Sequence, residues 1–270
     1  MRFKLHQIKA YLNNIYIAEY DHGLLMLDSG SSSDYDLIRD YIRKEIRRDI
    51  NDVKLIVVSH IHPDHSGTAR RFNREYNIPI AAHENINLWY SGIPGFIQHR
   101  FDNRMALYNS RKNGLPKRNF SFPRKLDLSY ELHHFNKLPI FNDWVVYHVP
   151  GHTNHDIVLY NDFEKILYCS DTVVMRNRTI LPPFPVTDVI SINKTYDLLG
   201  SLECKSYLLA HGGVISDSEC DENIYSHAKR NLCRPMKGIL KYFYPFFFIT
   251  SQAEYKNSCN SERKDSFFIF

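Results

Sequence analysis

No apolar run in this 270-residue chain is long enough to cross a bilayer, so a membrane-spanning helix is not expected. The start, Met1-Arg2-Phe3-Lys4-Leu5-His6, has neither an apolar h-region nor a small-residue cleavage site, and the expected location is the cytoplasm. Cysteine is scarce. Cys169, Cys204, Cys220, Cys233 and Cys259 are odd in number and lack a framework spacing, which predicts reduced thiols rather than a disulfide scaffold. No internal repeat is apparent, so a repeat architecture is not expected. The net charge of +4 is only mildly basic and gives a modest electrostatic footprint for nucleic acid.

Histidine, by contrast, is concentrated. His60-Ile61-His62-Pro63-Asp64-His65 follows the apolar run Leu55-Ile56-Val57-Val58 directly. Alternate side chains of a strand share a face, so His60 and His62 are expected to point the same way, and the turn after Pro63 aims Asp64 and His65 at a second position. One short segment can thereby serve two metal ions. Imidazole and carboxylate suit zinc or iron, and with no cysteine nearby a structural thiolate site is not expected.

More candidate ligands stand at the ends of later apolar runs. Trp144-Val145-Val146-Tyr147-His148-Val149 leads into Pro150-Gly151-His152-Thr153, and Lys165-Ile166-Leu167-Tyr168-Cys169 into Ser170-Asp171-Thr172. Ser206-Tyr207-Leu208-Leu209-Ala210 leads into His211-Gly212-Gly213, and Leu24-Leu25-Met26-Leu27 ends in Asp28-Ser29-Gly30. Short runs rich in β-branched and aromatic residues read as buried strands, and the Gly and Pro that follow let the backbone turn beside a site.

In this order the motifs resemble the five signatures of the metallo-β-lactamase superfamily, over roughly residues 10–230. The resemblance implies an α/β fold, a four-layer αββα sandwich with the metals at one edge. It implies a binuclear zinc site, two ions per chain, with iron or manganese as possible replacements. His60, His62 and His152 would hold the first ion, Asp64, His65 and His211 the second, and Asp171 would bridge them. Asp28 would stand behind the ligands, where a carboxylate orients an imidazole through its other nitrogen. The implied chemistry is hydrolysis by metal-bound hydroxide, with Asp64 as the catalytic residue that orients the nucleophile and accepts its proton.

One domain is expected over residues 1–235, with an aromatic and then polar tail over 236–270. Strands are read near residues 11–20 and 24–27, an amphipathic helix over 35–48 with Ser31-Ser32-Ser33-Asp34 as its N-cap, a helix near 67–76, a strand at 78–82 and a polar helix over 217–232. A basic, aromatic insertion at about 84–127 carries Arg100, Arg104, Arg111, Lys112, Lys117, Arg118, Arg124 and Lys125, with Asp102 the main opposing charge. It is interleaved with Phe96, Phe101, Tyr108, Phe120 and Phe122, and reads as a lid for an anionic substrate or as a solvated helix pair packed on the core. The apolar stretch at 239–249 is too short to span a membrane and is read as packing on the domain or in a homodimer, with interfacial membrane contact as the alternative.

The leading functional expectation is therefore a hydrolase of a small-molecule thioester, ester or lactone, similar to the glyoxalase II branch. Asn154-His155-Asp156 replaces a Pro-Gly-Ser type of turn, and the tail does not supply a glutathione-binding end, which favours acyl thioesters in general over glutathione thioesters. The alternatives within the same fold are a nuclease or phosphodiesterase, although nucleic acid is not the favoured partner, and a mononuclear iron persulfide dioxygenase. True β-lactam hydrolysis is not favoured, since fold does not transfer substrate.

Overall fold

Alternation along the strands decides the architecture. In the computed structural model, which describes residues 2–232 except 113, 117, 119–121 and 221, successive side chains of each central strand enter different cores. On β2 (Asn14–Tyr20), Ile15 and Ile17 join one core, while Tyr16, Ala18 and Tyr20 join another. A strand buried on both faces must lie between two layers, and two such sheets stack here.

The first sheet has the order β1 (Lys4–Lys9), β2, β3 (Gly23–Leu27), β4 (Val53–Val58), β5 (Ile80–His83), β6 (Tyr130–Leu132). It begins antiparallel and becomes parallel from β3 onward. In the second, β13 (Gly213–Ser216) and β12 (Ser206–Leu209) lie beside β9 (Ile166–Ser170), β8 (Ile157–Asn161) and β7 (Trp144–His148). Between them, Leu25, Leu27, Leu55 and Val57 meet Trp144, Val146, Leu159, Tyr168 and Leu208.

The outer faces are covered by helices. Tyr35, Ile38 and Phe72 of α1 (Tyr35–Tyr41) and α3 (Ala69–Tyr76) pack on the first sheet. Val189, Ile192, Tyr196 and Leu199 of α5 (Val189–Gly200), with Ile224, Tyr225 and Ala228 of α6 (Ile224–Leu232), pack on the second. The expected four-layer αββα sandwich is thus the observed one. A hairpin of β10 (Val174–Arg176) and β11 (Thr179–Leu181) completes the strands. Among the described residues no helix is long and apolar enough to cross a membrane.

Local departures from the sequence expectation have physical causes. The helix expected over 35–48 is α1 followed by a π-helical turn, Ile42–Ile46, which Arg47 ends at φ 61°. Ile38, Ile42 and Ile46 form a row spaced by four; such a row drifts around an α-helix, and the wider turn returns it to the core. Asp34 does not cap α1 through its side chain. Its carboxylate instead accepts from Ser31 N at 2.8 Å and Tyr11 N at 3.0 Å, pinning the loop to the β1–β2 turn. The helix expected over 217–232 is shorter: Glu219 turns back to accept from Ser216 N at 2.9 Å, closing a short 3-10 turn before α6 starts. The expected tail over 236–270, with its apolar stretch, lies outside the described residues, as do Lys117 and Phe120.

Phe72 is fully buried against Tyr35, with ring centroids 4.6 Å apart. Phe72→Ala should lower folding stability by about 3–5 kcal/mol in denaturant unfolding, whereas Ile93→Ala, at a side chain 77% exposed, should have almost no effect. Equal losses for the two would contradict this layer assignment.

Candidate metal centre

Parallel strands bring their carboxyl ends to one edge, where loops must leave the sheet. Asp28 follows β3, residues 59–65 follow β4, Asp171 follows β9 and His211 follows β12. β4 ends at Val58, so His60 and His62 are not carried by strand alternation as expected. They lie in the loop beyond, which ends in a short helix, α2 (Pro63–Ser66), with Pro63 in its first turn. Ser66 Oγ donates to Ile61 O at 3.0 Å and His62 O at 3.1 Å, and Ile61 N donates to His155 Nε2 at 3.2 Å. These bonds fix the loop so that its imidazoles converge, with ring centroids 4.6 Å apart for His60 and His62 and 4.1 Å for His60 and His65.

His152 arrives from the loop after β7. Its neighbour Gly151 has φ 147°, and a Cβ there would stand 2.5 Å from Ile192 Cβ, so only glycine fits between the loop and α5. The facing nitrogens of His152 (Nε2) and His62 (Nδ1) are 2.9 Å apart.

The outer nitrogens of the cluster are held by polar partners. His65 Nδ1 donates to Asp28 Oδ2 at 2.6 Å, and His152 Nδ1 donates to Pro185 O at 2.7 Å. His60 Nδ1 lies 3.1 Å from Ser59 Oγ. Each ring is thereby oriented with its other nitrogen inward. Asp28, fully buried at φ 59°, also accepts from Ser59 N and Ser59 Oγ, each at 2.7 Å, and from Tyr168 OH.

Asp171 faces two groups at once. Its Oδ1 is 3.3 Å from His65 Nε2 and 3.5 Å from His211 Nε2, while its Oδ2 is 3.7 Å from His152 Nε2. Asp64 Oδ2 is 3.3 Å from His211 Nε2 and 3.9 Å from His65 Nε2. Ligand atoms of His60, His62 and His152 lie within 4.8 Å of one another, and so do those of Asp64, His65 and His211 and those of His60, His65 and Asp171.

The donor set fits a cation. His60 Nε2, His65 Nε2 and Asp171 Oδ1 are buried without any hydrogen-bond partner, although unpaired buried polar atoms are costly. Electrostatics divide the rings into two groups. Burial, reinforced by the surrounding imidazoles, pushes His60 well below the ordinary histidine range and His62 down to about 3, so these rings are neutral and have lone pairs to offer. For His65, burial is outweighed by Asp171, Asp28 and Asp64, which hold it well above that range. Burial would raise Asp64 and Asp171, yet the imidazoles around them keep both below the usual carboxylate range.

The insertion forms one wall. Its helix α4 (Gly92–Lys112) packs over α2. Asp102 does not simply balance surface charge as expected: its side chain is 10% exposed and faces His62. Two of the expected substrate-facing cations are engaged elsewhere. Arg124 donates to Tyr90 O and, at 3.0 Å, to Gly92 O, while Arg118 lies 3.6 Å from Asp34 and over the Tyr11 ring. Arg100, Arg104, Arg111 and Lys112 remain exposed.

All seven expected ligands, with Asp28, therefore meet at one edge. Sequence reasoning missed Ser59, Tyr168, His155 and the placement of Asp102. His155 carried a signal, since it stands where a small turn residue was expected; Tyr168 in a strand and Asp102 in a basic helix carried none.

Residues 9–211 match the family model of the metallo-beta-lactamase superfamily. The chain is 22% identical over 177 residues to YflN of Bacillus subtilis, named a probable metallo-hydrolase, which covers 63% of this chain and 64% of that protein. It thus spans about two thirds of the length of that relative. An archaeal metallo-beta-lactamase superfamily protein from Sulfolobus tokodaii superposes with a TM-score of 0.62 at 17% identity, covering 94% of this chain and 98% of its own. TTHA1623, solved in a di-iron-bound form, superposes with a TM-score of 0.56 at 18% identity over 80% of this chain and 96% of its own. The resemblance read from the motifs is borne out.

Removing the Asp28 carboxylate strands a buried imidazole and three other donors. Asp28→Ala should lower the stability of metal-free protein by about 3–5 kcal/mol in denaturant unfolding, and a loss under about 1 kcal/mol would show that the carboxylate does not organise this edge.

Proposed function

The chain belongs to the metallo-beta-lactamase superfamily, and on that footing we propose that it is a metal-dependent hydrolase with two zinc ions, cleaving a thioester, ester or lactone of a small molecule. His60, His62 and His152 would hold the first ion, Asp64, His65 and His211 the second, and Asp171 would reach both. The observation that carries this reading is the set of buried, inward-facing ligand atoms that make no hydrogen bond, His60 Nε2, His65 Nε2 and Asp171 Oδ1. A carboxylate whose two oxygens face different imidazole groups suits a bridging role. The di-iron form of TTHA1623 and the metallo-hydrolase name of the Bacillus relative are consistent with it.

Bound there, two divalent ions would acidify a water at neutral pH and polarise the bond under attack. The protein's own part is orientation and proton handling. Asp64, held ionised by His65 and His211, would orient the attacking water and accept its proton. Asp28 and Pro185 O fix the rings of His65 and His152, so that the ligands need not reorganise during turnover. Exposed Arg100, Arg104, Arg111 and Lys112 on α4 raise the local concentration of an anionic substrate.

The test combines elemental analysis with turnover of a panel of thioesters, lactones and phosphodiesters. Two zincs per chain are expected, with ester or thioester turnover reduced by about 10²–10⁴-fold in Asp64→Ala and lost in His152→Ala. Turnover confined to phosphodiesters, or a single iron with oxygen consumption, would contradict the proposal.

A further inference from the structure

The outer nitrogens of His60, His65 and His152 are held by residues of the sheet edges and their loops, namely Ser59, Asp28 and Pro185. His62 differs. Its Nδ1 faces His152 Nε2 at 2.9 Å, and with Nδ1 given to a metal the one proton of the neutral ring would sit on Nε2, which points away from the cluster toward the Asp102 carboxylate, whose Oδ2 stands at 3.7 Å, just outside hydrogen-bond distance. Both side chains are 10% exposed, so water screens this pair only weakly.

Asp102 is itself fixed at both oxygens. Tyr90 OH donates to Oδ2 and Gln98 Nε2 to Oδ1, each at 2.7 Å. Gln98 lies one turn earlier on α4, and Tyr90, whose ring is almost fully buried, belongs to the core under the first sheet. A carboxylate held this way cannot swing out to solvent without breaking two hydrogen bonds, and a histidine ligand with a carboxylate on its far nitrogen is both oriented and made more basic.

We propose that Asp102 is a positioning residue for the metal centre, orienting His62 electrostatically through its outer nitrogen and so making metal affinity depend on the docking of helix α4. The inference rests on the ligand role proposed above for His62. It assigns the insertion a role beyond covering substrate: the same helix that displays the basic residues completes the support of one ligand. A substitution that displaces α4 would then weaken metal binding without touching any ligand.

The test is metal affinity. Metal-free wild-type protein, Asp102→Ala, Asp102→Asn, Tyr90→Phe and His62→Ala are titrated with zinc in competition with a chromophoric chelator, and the visible spectrum of each is recorded with cobalt. Metal-free melting midpoints are measured alongside. Asp102→Ala should weaken one of the two zinc sites by about 10–100-fold and alter the cobalt spectrum. Asp102→Asn, which keeps an acceptor oxygen, should retain part of the affinity, and Tyr90→Phe, which removes one hydroxyl, should weaken binding in the same direction but less. A purely structural Asp102 would lower the melting midpoint and leave zinc affinity and the cobalt spectrum unchanged in the metal-loaded protein. That result, with His62→Ala still losing a site, would overturn the role of Asp102 and leave the metal centre standing. If wild-type protein binds no zinc or cobalt, the metal centre and this inference fall together.

Discussion

The carboxylate of Asp28 is the joint on which the site depends. It stands at the end of β3, accepts from Ser59 in the loop after β4, from His65 beyond that loop, and from Tyr168 of β9 in the other sheet. One buried acid therefore ties the two sheets together at the edge where the ligands gather. Its burial is tolerable only because its oxygens are saturated with donors, one of them an imidazole drawn toward its charged form. The positive φ at this residue aims the side chain inward, and the bonds it makes hold that backbone conformation in place.

Around that joint the protein collects polar ligand atoms that it does not pair internally. His60 and His62 are neutral, the inward nitrogens of His60 and His65 have no hydrogen-bond partner, and Asp171 reaches toward rings on opposite sides. A core normally avoids such an arrangement. Here the surrounding layers make it rigid, because the strands carrying the ligands are buried on both faces and their loops are pinned by Ser66, Asp156 and the Gly151 turn. The fold itself thus holds these groups in place, which favours tight binding without reorganisation.

Much of this was legible in the sequence because the ligands fall at strand ends. The runs before Asp28, His60, Asp171 and His211 are short and apolar, and the turn residues after them mark where a strand must stop. What was not legible depends on tertiary context. β8 and α5 carry no ligand-bearing end; α5 opens Val189-Ile190-Ser191-Ile192, whose β-branched residues argue against a helix that Asp188 nevertheless caps through Ser191 N at 3.0 Å. The strand alternation proposed for His60 and His62 failed because β4 ends two residues before His60, and loop hydrogen bonds bring those rings together instead. The Asp102–His62 approach joins residues forty positions apart, and no local pattern announces it.

The proposal that two ions flank Asp171 is tested most directly by an anomalous-diffraction map of zinc-loaded crystals at the zinc edge. Two peaks are predicted, one among His60, His62 and His152 and the other among Asp64, His65 and His211, with the Asp171 carboxylate between them. A single peak, or zinc only at surface histidines such as His133, would contradict it.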